Sequence, residues 1–220
     1  MREQLSGYKF RKIATESFRN GLRLHFDSII LYNIKSFPSS LLLSIIAMEE
    51  ISKSNWVEHY YWSSTVNGGF PEAKFEQEWL KLLYSHPIKQ KAFFEGFYFD
   101  LSPKFIKSIE KNELEILKQK VTYVGLHKAK NKIDVNSRIS IPQKINYSVP
   151  KKIISLLNDY LIDVCKKKDY QEYYFDIEEK DHLITARLYN RLKMWKHKSG
   201  LRSDKYYREW MQLLKKPKTI

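Results

Sequence analysis

The chain has 220 residues, 43% of them apolar, which suffices for one domain or two small ones with a real core. Lys and Arg number 39 against 25 Asp and Glu, a formal charge of +14 that favours polyanionic partners such as nucleic acid, anionic membrane or acidic proteins without choosing among them. The single Cys165 excludes an intramolecular disulfide and any Cys-based zinc site. No apolar run approaches the ~20 residues needed to cross a bilayer. The N-terminal stretch "MREQLSGYKFRKIATESF" lacks the apolar core of a signal peptide, so a cytoplasmic protein with no membrane partner is expected.

Gly and Pro are sparse, seven each, and several prolines stand where helices begin, which predicts a mostly helical chain. From Thr15 to about Lys35, Phe18, Leu22, Phe26, Ile29 and Ile30 recur at helical spacing, and "SFPSS" ends that helix. Pro38 opens a second, on which Leu42, Ile45, Ile46, Glu49 and Lys53 share one face with Leu43, Ala47, Glu50 and Ser54 beside it. After the Gly68–Pro71 turn a third helix carries Phe75, Trp79, Leu82 and Leu83 and is broken near Pro87. A fourth is expected from Ser102 and Pro103 to about Lys120. Residues 121–148 read as one or two short extended pieces or an ordered loop. Ser148 and Pro150 open the next helix, Asp176 is the expected cap of another, and a last helix is expected over about Ser203–Leu214. A boundary near Cys165–Tyr174 would divide a core, 1–165, from a basic C-terminal helical part, 166–220, packed on it or continuous with it.

Glu49 and Glu50 border this core, where a carboxylate must find a partner to avoid several kcal/mol of desolvation. Lys53 is placed for a helical ion pair, and His86 and Tyr123 are the expected donors from other elements. Three glutamate or histidine ligands there would not make the four-helix di-metal pattern, because the required Glu-x-x-His repeats are missing. Gly-rich phosphate loops, G-x-S-x-G elbows and His-Glu-x-x-His are missing too, so no cofactor and no metal is expected.

The stretch "RNGLRLHFDSIILYNIKSFPSSLLLSIIAMEEISKSNW" resembles the first two helices of HEPN domains of the AbiV abortive-infection family. Asn20, Arg23, Leu24, Asp27, Glu49, Glu50 and Lys53 match its pattern, whereas Gly21 and Ser28 stand where alanine is usual, small-for-small changes expected to spare the packing. "SHPIKQK", with His86 and Lys89 or Lys91, and the Tyr123–Val124 element also match, so the resemblance covers roughly residues 15 to 126. It implies an all-α, HEPN-like helical bundle with additional C-terminal helices. It also implies a homodimer, a role in anti-phage defence with a possible phage-encoded activator, and metal-independent RNA cleavage by an arginine and a histidine a few residues apart. The rival from another class is a non-enzymatic helical switch that binds a phage or host protein.

Two windows fit such a motif: Arg191 with His197, and Arg19 with His25. Each pair is six residues apart, which on a straight helix leaves the side chains ~120° apart, so they converge only if the helix bends or a second chain completes the site. The C-terminal pair is preferred as catalytic, Gly200 offering a helix end beyond it, with His86 as a further candidate. From Lys180 to Ile220 twelve Lys or Arg face three acids and are interleaved with Tyr189, Trp195, Tyr206, Tyr207 and Trp210. Phosphates can be neutralised and bases stacked on such a face, with Lys193, Lys196, Lys198 and Arg202 as the expected RNA contacts.

Overall fold

A computed structural model describes residues 4–95, 101–126, 128–129, 132–169 and 177–201. Arg202, the Asp176 cap and the helix expected over Ser203–Leu214 lie outside them. The described residues form an all-α bundle, with a two-residue hairpin as the only strand pair among them.

Helices α1 (Gly7–Asn33) and α2 (Phe37–Val66) are longer than their apolar periodicity alone suggested. Ser6 caps α1 by accepting from the Lys9 amide, and Pro38, whose missing N–H costs nothing in a first turn, starts α2. The short connection between them makes an antiparallel hairpin: the Ser54 hydroxyl donates to the Ala14 carbonyl and Ser40 to that of Ser28. At the crossing a Cβ on Gly21 would stand 2.6 Å from Ile51 Cδ1 and 3.2 Å from the Ala47 carbonyl oxygen. Alanine there is therefore not an innocent exchange in this chain, because the fully buried Ile51 occupies its space.

Leu41, Ile45, Met48 and Ile51 of α2 are fully buried, each contributing ~2 kcal/mol of apolar transfer. Against α2 pack α4 (His86–Glu95), α6 (Glu113–Thr122) and α7 (Ser148–Asp169), placing Phe94, Leu156, Leu157 and Leu161 in the same core. A satellite cluster at the far end of α1 and α2 includes Phe10, Val57, Tyr60 and Trp79, the last from α3 (Ala73–Leu82), with the Tyr60 and Trp79 rings stacked 4.0 Å apart.

The helix expected from Pro103 to Lys120 is two. α5 (Pro103–Glu110) ends where Asn112 turns left-handed at φ 55°, a conformation asparagine tolerates better than most residues, and α6 begins after it. Residues 121–148 hold the hairpin, β1 (Lys128–Ala129) and β2 (Lys132–Ile133), and a lone bridge from Gly125 to Ser140. Beyond α7, α8 (Glu178–Asp181) packs on α1, and α9 (Ala186–Leu192), capped by Thr185, packs on α7. The buried Lys180 ammonium pairs with Glu58 of α2, and Lys168 donates to the carbonyls of Asp181 and Ile184.

Candidate active site

Glu49 is 1% exposed and four donors from two other helices converge on it. The His86 ring donates from Nδ1 to Glu49 Oε2 at 2.5 Å, Gln90 Nε2 donates to Oε1 at 2.8 Å, and Lys118 Nζ lies 3.1 Å from Oε1. The Lys89 ammonium stands 3.9 Å away. Burial pulls the Lys89 pKa down, and the neighbouring Glu49 opposes that pull. Placement follows from local sequence. His86 is the first residue of α4, held by the fixed φ of Pro87 behind it, and Lys89 and Gln90 follow at three and four residues on the same face.

Glu115 of α6 closes the cluster. Its carboxylate accepts from Lys118 at 2.6 Å and from Gln90 at 3.2 Å; burial works to raise its pKa, but the Lys118 and Gln119 hydrogen bonds hold it below the usual range. Glu49, His86 and Glu115 each bring one donor atom within 4.8 Å of the others, a spacing that suits a divalent ion. Lys118, bonded to both carboxylates, already supplies positive charge at that point. What the arrangement offers chemically is a half-exposed imidazole, 51% accessible, clamped at Nδ1 by a buried carboxylate, so that Nε2 is the ring nitrogen not engaged by Glu49.

Glu50 belongs to a second network. It accepts from Lys53 at 2.8 Å and from Asn20 Nδ2 at 3.2 Å; Asn20 Oδ1 in turn accepts from Arg23, which pairs with Asp27 at 3.0 Å. Tyr123, expected among the glutamates' partners, instead stands 60% exposed just past the end of α6. Gln90 and Lys118 occupy the positions it was expected to fill. Lys118 left one signal, standing four residues after Leu114 and three before Val121 on the apolar stripe of α6, though its place in the stripe does not say which carboxylate it meets.

The two arginine–histidine windows fare differently. His25 is fully buried and its pKa is lowered to about 4, chiefly by burial, while Arg19 points outward to Glu16. This window therefore cannot present a histidine to RNA. Asn158 explains how His25 is tolerated: its Nδ2 donates to the Leu192 carbonyl, leaving Oδ1 to accept from His25 Nε2 at 3.2 Å. His25 Nδ1 then carries only a lone pair, which finds no partner.

Arg191 and His197 no longer share a helix, because α9 ends at Leu192. The Arg191 guanidinium lies 3.5 Å over the Phe26 ring, while His197 packs on Trp195 and Tyr32, and no hydrogen bond joins the two within the chain. Trp195 is an anchor rather than a stacking platform: its indole donates to Ser155 at 2.9 Å and its ring meets Tyr32 edge-on. Lys193, Lys196 and Lys198 are exposed, Lys193 over the Tyr189 ring.

The described residues thus form an all-α bundle whose second helix ends its apolar face in the buried Glu49, with Asn20, Arg23 and Asp27 in a row on α1. Residues 9–157 match the HEPN_AbiV family, described as AbiV, and the chain belongs to that family, one of abortive-infection defence. No curated protein and no solved structure matches the chain. No helix among the described residues is long and apolar enough to cross a membrane.

Proposed function

We propose that the protein arrests infected cells by cutting RNA without a metal, His86 being the catalytic histidine. The observation that carries this reading is the His86–Glu49 pair, in which a buried carboxylate engages Nδ1 of a half-exposed ring, and Nε2 is the nitrogen left for substrate. Nε2 takes the proton of a ribose 2′-hydroxyl; the 2′-oxygen bonds to the adjacent phosphorus as the bond to the 5′-oxygen breaks, and the leaving oxygen needs a proton. His86 supplies one such group per chain. A two-fold homodimer offers two, one as base and one, protonated, as acid, and this is why dimerisation belongs to the proposal. Glu49 orients the ring and offsets the charge it gains, the part a carboxylate plays behind a catalytic histidine elsewhere.

Purified protein incubated with total RNA in EDTA tests this. Cleavage giving 2′,3′-cyclic phosphate ends, abolished by His86→Ala with an unchanged melting curve, is the expected result. Undiminished cleavage by His86→Ala overturns it, and loss in His197→Ala or Arg191→Ala instead would move the site to the C-terminal pair. The non-enzymatic switch has one observation in its favour: Glu49 also ties α2 to α4 and α6 through Lys118 and Gln90, a purely structural use. It is supported if toxicity persists in every histidine variant.

A further inference from the structure

Between α1 and α9 lies a cleft of about 490 Å³ that the catalytic reading does not use. Arg23, Arg187 and Arg191 line it, with Asp27 as its one acid, over a floor that includes Phe26 and Leu188. Arg23 satisfies Asp27. Among the described residues Arg187 and Arg191 meet no carboxylate: they stand four apart on a helix, "ARLYNRL", that contains no acid, so they repel each other where an ion pair would have been easy to build. The cleft therefore carries an uncompensated charge of about +2 on two guanidinium forks, the donor geometry that matches phosphate.

Its platform is fixed beforehand. Leu192, at the end of α9, is fully buried and its carbonyl is held by Asn158 of α7. One face of the Arg191 guanidinium is spent on Phe26, the residue is nevertheless exposed, and unpaired bases stack on guanidinium planes. The volume suits a single nucleotide unit.

We propose that this cleft binds a phosphoryl group with its attached unpaired base, the phosphate on Arg187 and Arg191 and the base on Arg191. Two sources share that chemistry, a nucleotide within single-stranded RNA and a free nucleotide. The site extends the RNA reading, yet it does not require His86 to be catalytic.

The test is fluorescence anisotropy of the full chain with a labelled, single-stranded 2′-O-methyl RNA, which cannot be cut through its 2′-oxygen, so binding is read whether or not the protein cleaves. The variant Arg187→Gln with Arg191→Gln is compared with a charge-matched control, Lys104→Gln with Lys107→Gln, in the separate groove beside α5. All four side chains are on the surface, and thermal melts verify the fold. Expected is a loss of roughly tenfold or more in the arginine variant alone, with the slope of log affinity against log salt reduced by ~0.7 for each phosphate that is no longer neutralised. Equal losses in variant and control, or none in either, with both this RNA and adenosine monophosphate overturn the proposal. Adenosine monophosphate, titrated separately, decides the source: arginine-dependent binding of the mononucleotide without arginine-dependent RNA binding assigns the cleft to a free nucleotide. Arginine-dependent RNA binding alongside failed cleavage leaves this site standing and removes the catalytic one.

Discussion

Acid should loosen this fold through one side chain. His25 is buried beside Asn158, with Arg191 the nearby cation, and its pKa is lowered from 6.5 to about 4 mainly by burial. In the unfolded chain it titrates near its ordinary value, so between the two the unfolded state binds a proton that the folded state refuses. Stability from this group is therefore complete well above pH 6.5, falls as the pH drops through that value, and stops falling below about 4. A shift of this size is worth ~3 kcal/mol in total, of which ~2 kcal/mol is lost by about pH 5. Urea unfolding from slightly alkaline to mildly acidic pH measures it. The comparison is His25→Gln, whose amide nitrogen can donate to Asn158 as Nε2 does and which does not titrate. Glu16 and Glu115, whose pKa values are held down, lose their contributions at lower pH and do so equally in both proteins. Wild type should lose ~2 kcal/mol more than His25→Gln over this range; parallel curves would refute the reasoning.

Gly21→Ala gains ~1 kcal/mol of helix propensity but meets Ile51, so we expect net destabilisation, with Ile51→Val in the same chain losing less than the two single changes together in denaturant melts. Lys180→Met strands the buried Glu58 carboxylate and should cost ~3–5 kcal/mol, much of it recovered when Glu58→Leu is added; equal instability of single and double variants would exclude the pair as the cause. Glu50→Ala leaves Lys53 and Asn20 without their acceptor and should cost ~1–3 kcal/mol by chemical unfolding. Light scattering at micromolar concentration should give twice the 26.4 kDa chain mass, and a monomer mass would count against the paired-histidine mechanism.

The helical hairpin was legible because apolar spacing and the "SFPSS" turn agree, and the burial of Glu49 was legible because it completes the stripe begun by Leu42 and Ile45. Which donors would meet it was not, since Lys118 and Gln90 arrive from helices whose docking no local pattern encodes. The break at Asn112 escaped notice because neither Gly nor Pro marks it. The Arg19–His25 window failed for a related reason: spacing counts residues along one helix, while α7 decides which face is covered. The same holds at Gly21, where exchange for alanine looked harmless until Ile51 was placed opposite.

Glu58 lies inside the stretch that matches the family and Lys180 lies beyond it. The carboxylate is 4% exposed, so the matched stretch carries a charge whose counter-ion is encoded elsewhere in the chain. The two positions are thus a single unit of inheritance. A chimaera that takes its C-terminal third from a relative without a cation here would leave a bare carboxylate among apolar side chains, and loss of Lys180 in any lineage should be accompanied by loss of the acid at position 58.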